Sequence, residues 1–110
     1  MAISKPRTFG LELTTAAQRI MHDAVPVSKV RHVTMIQCTS IDAANEANVT
    51  VRWLRSAAVN PLLSQAPVPV KDAIPAIVGA FSLEAGDDLV ALASAAGDIH
   101  VTVVYYDEDM

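Results

Sequence analysis

The sequence predicts an all-β protein, an antiparallel β-sandwich or jelly-roll-like single domain. Two segments, Asn48–Arg55 and Ile99–Tyr106, alternate apolar and polar side chains with the period of two that gives a strand one buried face. Gly86-Asp87 and Gly97-Asp98 supply turn chemistry before short runs that have strand character. Because no segment is a convincing crossover helix, we expect the strands to pair in an antiparallel manner.

The first half of the chain contains one ambiguous segment between two clearer ones. Residues 1–10 lack periodicity, so we predict an extended N-terminal arm that lies outside the fold or reaches a neighbour, followed by a sandwich domain over residues 11–110. The apolar positions of Leu11–Ala24 fit a helix or a strand equally well. Val30–Thr39 is rich in β-branched residues and is predicted to be a strand.

The second half divides into short strands. Asn60–Lys71 contains three prolines, which predicts an edge strand or an extended crossover. Ala76–Leu83, which Gly79 interrupts, and Asp88–Ser94 are predicted to be further strands. The alternation predicts which side chains form the core: Val49, Val51, Trp53, Leu83, Leu89, Ala91, Ile99, Val101 and Val103.

Composition excludes several classes of function. The chain has 110 residues, a net charge of −4 and only eight scattered Lys and Arg residues, which argues against binding to nucleic acid. Its apolar runs are far shorter than the roughly 20 residues that span a membrane, and the N-terminus does not resemble a secretory signal. The single cysteine, Cys38, precludes an intrachain disulfide and predicts synthesis in a reducing compartment.

No set of residues has the spacing of a catalytic or metal site. The three histidines lack a metal-ligand spacing, the cysteine has no close cysteine partner, and Ser82 and Ser94 lack the G-x-S-x-G motif. The acidic stretches at Asp87-Asp88 and Asp107–Asp109 are interpreted as a turn and a solvated end rather than as calcium ligands. We therefore predict no enzyme activity, no cofactor and no metal.

The same alternation predicts apolar side chains that face outward. Val90 and Leu92 would lie on one such strand, and Val104 and Tyr106 on the next. If the two strands are adjacent, these four side chains form a single outer surface. Either another segment of the chain covers this surface or another subunit buries it, and the sequence leaves both alternatives open.

A resemblance gives these patterns a biological context. The segments V-P-V-S-K-V-R-H-V-T-M-I-Q-C-T-S, N-V-T-V-R-W, L-L-S-Q-A-P-V-P-V and F-S-L-E-A-G-D-D-L-V-A-L-A-S-A-A-G-D-I-H-V-T-V resemble small virion proteins of tailed bacteriophages. The resemblance covers about residues 20–105 and is strongest at Leu83–Ser94. Relatives usually carry Ala-Gly where this chain has Val27-Ser28. The resemblance also implies that Gln18–Ala24 is a strand.

The resemblance implies a non-enzymatic structural subunit of a tailed-phage particle. Such a subunit packs on the capsid surface as a decoration (cement) protein, or at the head–tail neck or collar. It is made in the cytoplasm of the bacterial host and becomes part of the virion. Its partners are copies of itself and other virion proteins, either the major capsid protein or portal and connector proteins. The alternative is a displayed module that binds carbohydrate or protein, which the low aromatic content of 5% disfavours.

The assembly contacts are predicted from the arm and the outward apolar residues. A short arm without periodicity would lose much entropy for little buried surface on its own domain, so we expect it to order against a neighbouring subunit. Its basic residues would then meet the acidic end of that neighbour, Asp107–Asp109. The predicted interface residues are Ile3, Lys5, Arg7, Phe9, Val90, Leu92, Val104 and Tyr106.

Overall fold

The computed structural model describes residues 3–42, 44–77 and 79–110, and these form two antiparallel sheets packed face to face. In chain order the strands are β1 (Arg7–Glu12), β2 (Gln18–Arg19), β3 (Lys29–Ser40), β4 (Ala47–Arg55), β5 (Ala58–Val68), β6 (Ala73–Pro75), β7 (Phe81–Leu83), β8 (Asp88–Ala93) and β9 (Ile99–Asp109). Sheet 1 has the order β1-β9-β3-β6, with β7 also paired to β3, and sheet 2 has the order β2-β8-β4-β5. The predicted all-β sandwich is confirmed.

The core lies between the sheets and is built by alternation. Strand β8 buries every second residue, and β9 does the same over most of its length. Every side chain predicted for the core is fully buried except Trp53, which is half-buried and packs against the cluster. Within the described segments no helix is long and apolar enough to cross a membrane.

The N-terminal segment is extended, but it is part of sheet 1 rather than an arm outside the fold. Arg7–Glu12 pairs with β9 along its whole length, from Arg7 opposite Tyr105 to Glu12 opposite His100. The main-chain hydrogen bonds that β9 offers on this side offset the entropy that the segment loses. Phe9, Leu11 and Leu13 recur with a period of two and pack in or against the core, and this spacing is the sequence pattern that could have predicted the strand. Met1 and Ala2 of the predicted arm lie outside the described residues.

Other boundaries also differ from the sequence pattern. Strand β2 includes only Gln18–Arg19 of the segment that was ambiguous, and no helix forms there. Of the strand predicted over residues 76–83, only β7 (Phe81–Leu83) is found among the described residues, and Val78 lies outside them. Strand β6 ends before this segment and pairs with a different part of β3 from β7. The proline-rich strand β5 is an edge strand of sheet 2, as the prolines indicated.

The turn before β3 contains a backbone conformation that is uncommon for a residue other than glycine. Ser28 has φ of 64°, in the left-handed region that favours glycine. The Lys29 amide donates a hydrogen bond to the Pro26 carbonyl oxygen at 3.3 Å, which closes the turn. The serine is therefore accommodated in the conformation that glycine adopts at lower cost.

Replacement of Val101 by alanine should lower the free energy of unfolding by about 1–3 kcal/mol, because Val101 is fully buried between the sheets. Urea unfolding followed by circular dichroism measures this change. Val27→Ala is the matched control, since the same methyl groups are removed from a side chain that is 86% exposed. Equal effects of the two substitutions would contradict the assignment of the core.

Candidate functional site

The predicted apolar surface is divided between the two outer faces of the sandwich. Val90 and Leu92 lie on β8 in sheet 2, whereas Val104 and Tyr106 lie on β9 in sheet 1. The expectation that all four share one surface is wrong. The turn at Gly97 carries the chain from one sheet to the other and does not form a hairpin within one sheet.

On the outer face of sheet 1, the chain's own side chains pack beside the predicted residues. The ring of Tyr106 lies 4.9 Å from that of His32, centroid to centroid. Nitrogen Nδ1 of His32 is 2.8 Å from Oγ of Ser82, and Nε2 is 3.0 Å from Oε1 of Glu108. This chain of hydrogen bonds ties β7, β3 and β9 together. Val104 lies opposite Met35, in the same sheet.

The N-terminal residues of the predicted interface mostly contact their own domain. The Arg7 guanidinium lies 3.3 Å from the Asp107 carboxylate of the same chain, so the predicted contact with a neighbour's acidic end is replaced by an internal one. The Phe9 ring packs edge-on against His22, with 5.2 Å between centroids. Only Ile3 and Lys5 of this group are exposed, and Ile3 still forms a bridge with Glu108.

A buried ion cluster occupies one end of the sandwich. Arg31 on β3 is fully buried, and its Nε donates to Oδ1 of Asp107 at 2.6 Å. Its two terminal nitrogens donate to Asp23, to the carbonyl oxygen at 2.7 Å and to the carboxylate at 2.8 Å. The guanidinium also lies over the Tyr105 ring at 4.4 Å from the centroid. The interpretation of Asp107 as part of a solvated tail is therefore wrong.

The cluster sets the protonation state of Asp107. The hydrogen bond from Arg31 is the main cause that lowers the pKa of this carboxyl below its ordinary value, although burial acts in the opposite direction. Burial lowers the pKa of Arg31, but its bonds to Asp107 and Asp23 outweigh burial and raise it. Both groups are thus held in their charged forms.

Replacement of Asp107 by asparagine should destabilise the protein by about 3–5 kcal/mol, because it leaves the buried Arg31 without its main counter-charge. Chemical unfolding at pH 7 measures this loss. Asp109→Asn on the same strand is the control, since its pair with Lys29 is partly exposed and should contribute less than about 1 kcal/mol.

The difference in free energy of unfolding between the wild type and Asp107→Asn should also depend on pH. Because the pKa of Asp107 is lower in the folded state, its stabilisation is fully present above the unfolded-state pKa, about 3.9. It is lost as pH falls from there through the folded-state pKa. A difference that stays constant from pH 7 to pH 2 would contradict this role of the ion pair.

An apolar cleft of about 350 Å³ opens at the side of the sandwich, between the edge of sheet 2 at β5 and the edge of sheet 1 at β6 and β7. Its walls are core-type side chains that the chain itself leaves partly uncovered. The Trp53 ring forms one wall of the cleft, and the Arg55 guanidinium lies 5.0 Å from the centroid of this ring. The cleft is lined by Trp53, Leu62, Ala76, Ile77, Gly79, Phe81 and Ser82.

His32 and Cys38 lie on the same strand but face opposite sides of sheet 1. His32 and Cys38 share β3, but a register shift between Val33 and Met35 reverses the alternation, so His32 faces outward and Cys38 is buried. Burial raises the pKa of the Cys38 thiol to about 12. In the part of the chain that the structure describes, no group of three His, Cys, Asp or Glu residues could hold a metal ion.

The Cys38 thiol should not react with a disulfide reagent in the folded protein at pH 8, because it is buried and its thiolate form is scarce. The reaction should be complete once the protein is unfolded in guanidinium chloride. Release of the coloured thiolate from Ellman's reagent measures both rates. A fast reaction under native conditions would show that β3 is exposed in solution.

Comparisons with known proteins agree on the fold. No family model and no curated protein matches the sequence. A chain from the capsid of Helicobacter pylori bacteriophage KHP30 superimposes with a TM-score of 0.61 at 13% identity, over 99% of this chain and 97% of that one. A chain from the disulfide-linked pili that form Bacillus endospore appendages superimposes with a TM-score of 0.57 at 11% identity, over 98% and 88% of the two chains. The sandwich is therefore distantly similar to those of a phage capsid chain and a pilus chain.

Proposed function

We propose that this chain is a non-enzymatic structural subunit that assembles through the apolar cleft at the side of its sandwich. The cleft is the observation that carries the proposal. Trp53, Leu62 and Phe81 pack against the core, yet they remain only half-buried. An uncovered apolar concavity at a sheet edge is a surface that a neighbouring subunit can bury with a gain in stability.

A second copy of the chain can supply the group that fills the cleft. Several large apolar side chains stand exposed elsewhere on the surface: Ile3, Val27, Ile41 and Val59. A contact between a cleft on one copy and a projecting side chain on the next is heterologous, and repetition of such a contact gives a ring or an open lattice. Both kinds of arrangement suit a particle made of many identical subunits.

The particle that we propose is the virion of a tailed phage. The superposition with the phage capsid chain supports this assignment because it covers nearly the whole of both chains. Within the virion, the chain would act on the capsid surface as a decoration protein or at the neck or collar. Besides copies of itself, its partners would be the major capsid protein or portal and connector proteins. Disulfide linkage, which the pili use, does not suit a chain whose single cysteine is buried.

Leu62→Glu should abolish assembly without unfolding the domain, because Leu62 lies in the cleft on an edge strand. A charge there would have to be buried at the contact, so the copy number in purified particles should fall below about one tenth of wild type. Quantitative mass spectrometry of particles measures the copy number, and light scattering of the purified protein measures its oligomeric state.

Ser64→Glu places the same charge on the same strand outside the cleft and serves as the control. It should leave the copy number unchanged. If Leu62→Glu is folded and still reaches the wild-type copy number, the cleft is not the assembly contact. Binding of a host surface component by the domain alone, with wild-type assembly of Leu62→Glu, would instead favour the displayed binding module.

A further inference from the structure

A second cleft, of about 260 Å³, lies on the outer face of sheet 2, away from the apolar one. It is formed by residues of β4, β8 and β5 together with Ser94 just after β8. Five of its six lining residues are polar or charged, and none is acidic. The lining residues are Asn48, Thr50, Arg52, Gln65, Leu92 and Ser94.

The hydroxyl groups of this cleft are oriented by the backbone. The backbone N–H of Gln65 donates to Oγ1 of Thr50 at 3.1 Å, and the backbone N–H of Asn48 donates to Oγ of Ser94 at 2.9 Å. Because each hydroxyl oxygen accepts a hydrogen bond from the protein, its own proton remains available to a ligand. Two oriented hydroxyl donors thus lie beside two side-chain amides.

Arg52 differs from the other arginines of the chain. Arg7, Arg19, Arg31 and Arg55 each form an ion pair with an aspartate. Arg52 forms no such ion pair with any of the described residues. A protein with a net charge of −4 therefore presents one unneutralised guanidinium in a cleft rich in hydrogen-bond donors. This arrangement is complementary to a carboxylate, which a guanidinium binds through two parallel hydrogen bonds.

The backbone around the cleft is irregular in a way that shapes it. Gln65 has φ of 49°, which is uncommon for a residue other than glycine. The pairing of β4 with β5 shifts register between Val49 and Val51 and again between Val51 and Arg52. Bulges of this kind re-aim side chains and are frequent next to binding sites.

We propose that this cleft binds a carboxylated monosaccharide unit, such as a uronic acid. The carboxylate would pair with Arg52, the ring hydroxyls would bond to the amides of Asn48 and Gln65, and Leu92 would contact the apolar face of the ring. An acidic side chain from a second copy would use Arg52 but leave most of the other polar groups without partners. The cleft is slightly smaller than the range of about 300–1,000 Å³ for drug-sized ligands, which suits one sugar ring. This activity is additional to assembly and does not depend on it.

Three ligands titrated into ¹⁵N-labelled protein separate the contributions to binding. Sodium glucuronate carries both the ring and the carboxylate, glucose carries the ring alone, and acetate carries the charge alone. Glucuronate should produce saturable shifts of the backbone amide signals of Gln65, Leu92 and Ser94. Its affinity should exceed that of glucose or acetate by about tenfold or more. Equal affinity for acetate and glucuronate would overturn the proposal, because the cleft would then recognise charge only.

Arg52→Gln should weaken glucuronate binding by about tenfold or more while the melting temperature stays near that of wild type. Lys71→Gln removes the same charge from an exposed turn and should bind glucuronate as wild type does. An equal loss in both variants would overturn the proposal in favour of a general charge effect. A change of oligomeric state in Arg52→Gln, with no glucuronate binding by wild type, would overturn it in favour of an interface between copies.

Discussion

The geometry of one end of this sandwich depends on the burial of the Arg31 guanidinium. A charge that is fully removed from water must be matched by partners in fixed positions, or its burial is strongly unfavourable. Arg31 obtains those partners from β9 through Asp107 and from the loop after β2 through Asp23. The same loop bonds to the turn before β8, where the Val25 amide donates to the Asp87 carbonyl oxygen at 3.0 Å. Asp87 is itself buried and paired with Arg55 on β4, so polar contacts extend from sheet 1 to sheet 2.

The ion pairs at this end also position the apolar cleft. Arg55 pairs with Asp87 at 2.8 Å and at the same time lies over the Trp53 ring. One contact of the indole is therefore with a guanidinium that is already fixed by a buried carboxylate. This arrangement holds an aromatic side chain at the rim of the core without a full covering of neighbours. The polar contacts of Arg55 therefore hold one wall of the cleft, whereas its other edge is formed by β6 and β7, each only three residues long.

The sequence predicted the sandwich and its core well because alternation depends on local chemistry alone. It could not assign strands to sheets, since the turn at Gly97 could form either a hairpin or a crossing between sheets, and the crossing separated Val90 from Val104. The alternation of buried and outward side chains along β3 reverses at one register shift, and a run of β-branched residues does not reveal this reversal. The partners of Arg31 are 76 positions away at Asp107 and eight positions away at Asp23, and only the fold brings both together. Local pattern therefore predicts which residues are buried, whereas pairing across the chain determines the site.

Strand β4 contributes to both clefts through neighbouring residues. Trp53 faces the core opposite Leu89 and reaches the apolar cleft, while Arg52 faces outward opposite Val90 and reaches the polar one. Because successive side chains of a strand point to opposite faces, the two surfaces are close in sequence but separated by the thickness of sheet 2. A contact that fills the side cleft would leave the outer face of sheet 2 accessible. The proposed assembly contact and the proposed sugar site therefore lie on different surfaces, and substitutions at adjacent positions of β4 would change one without the other.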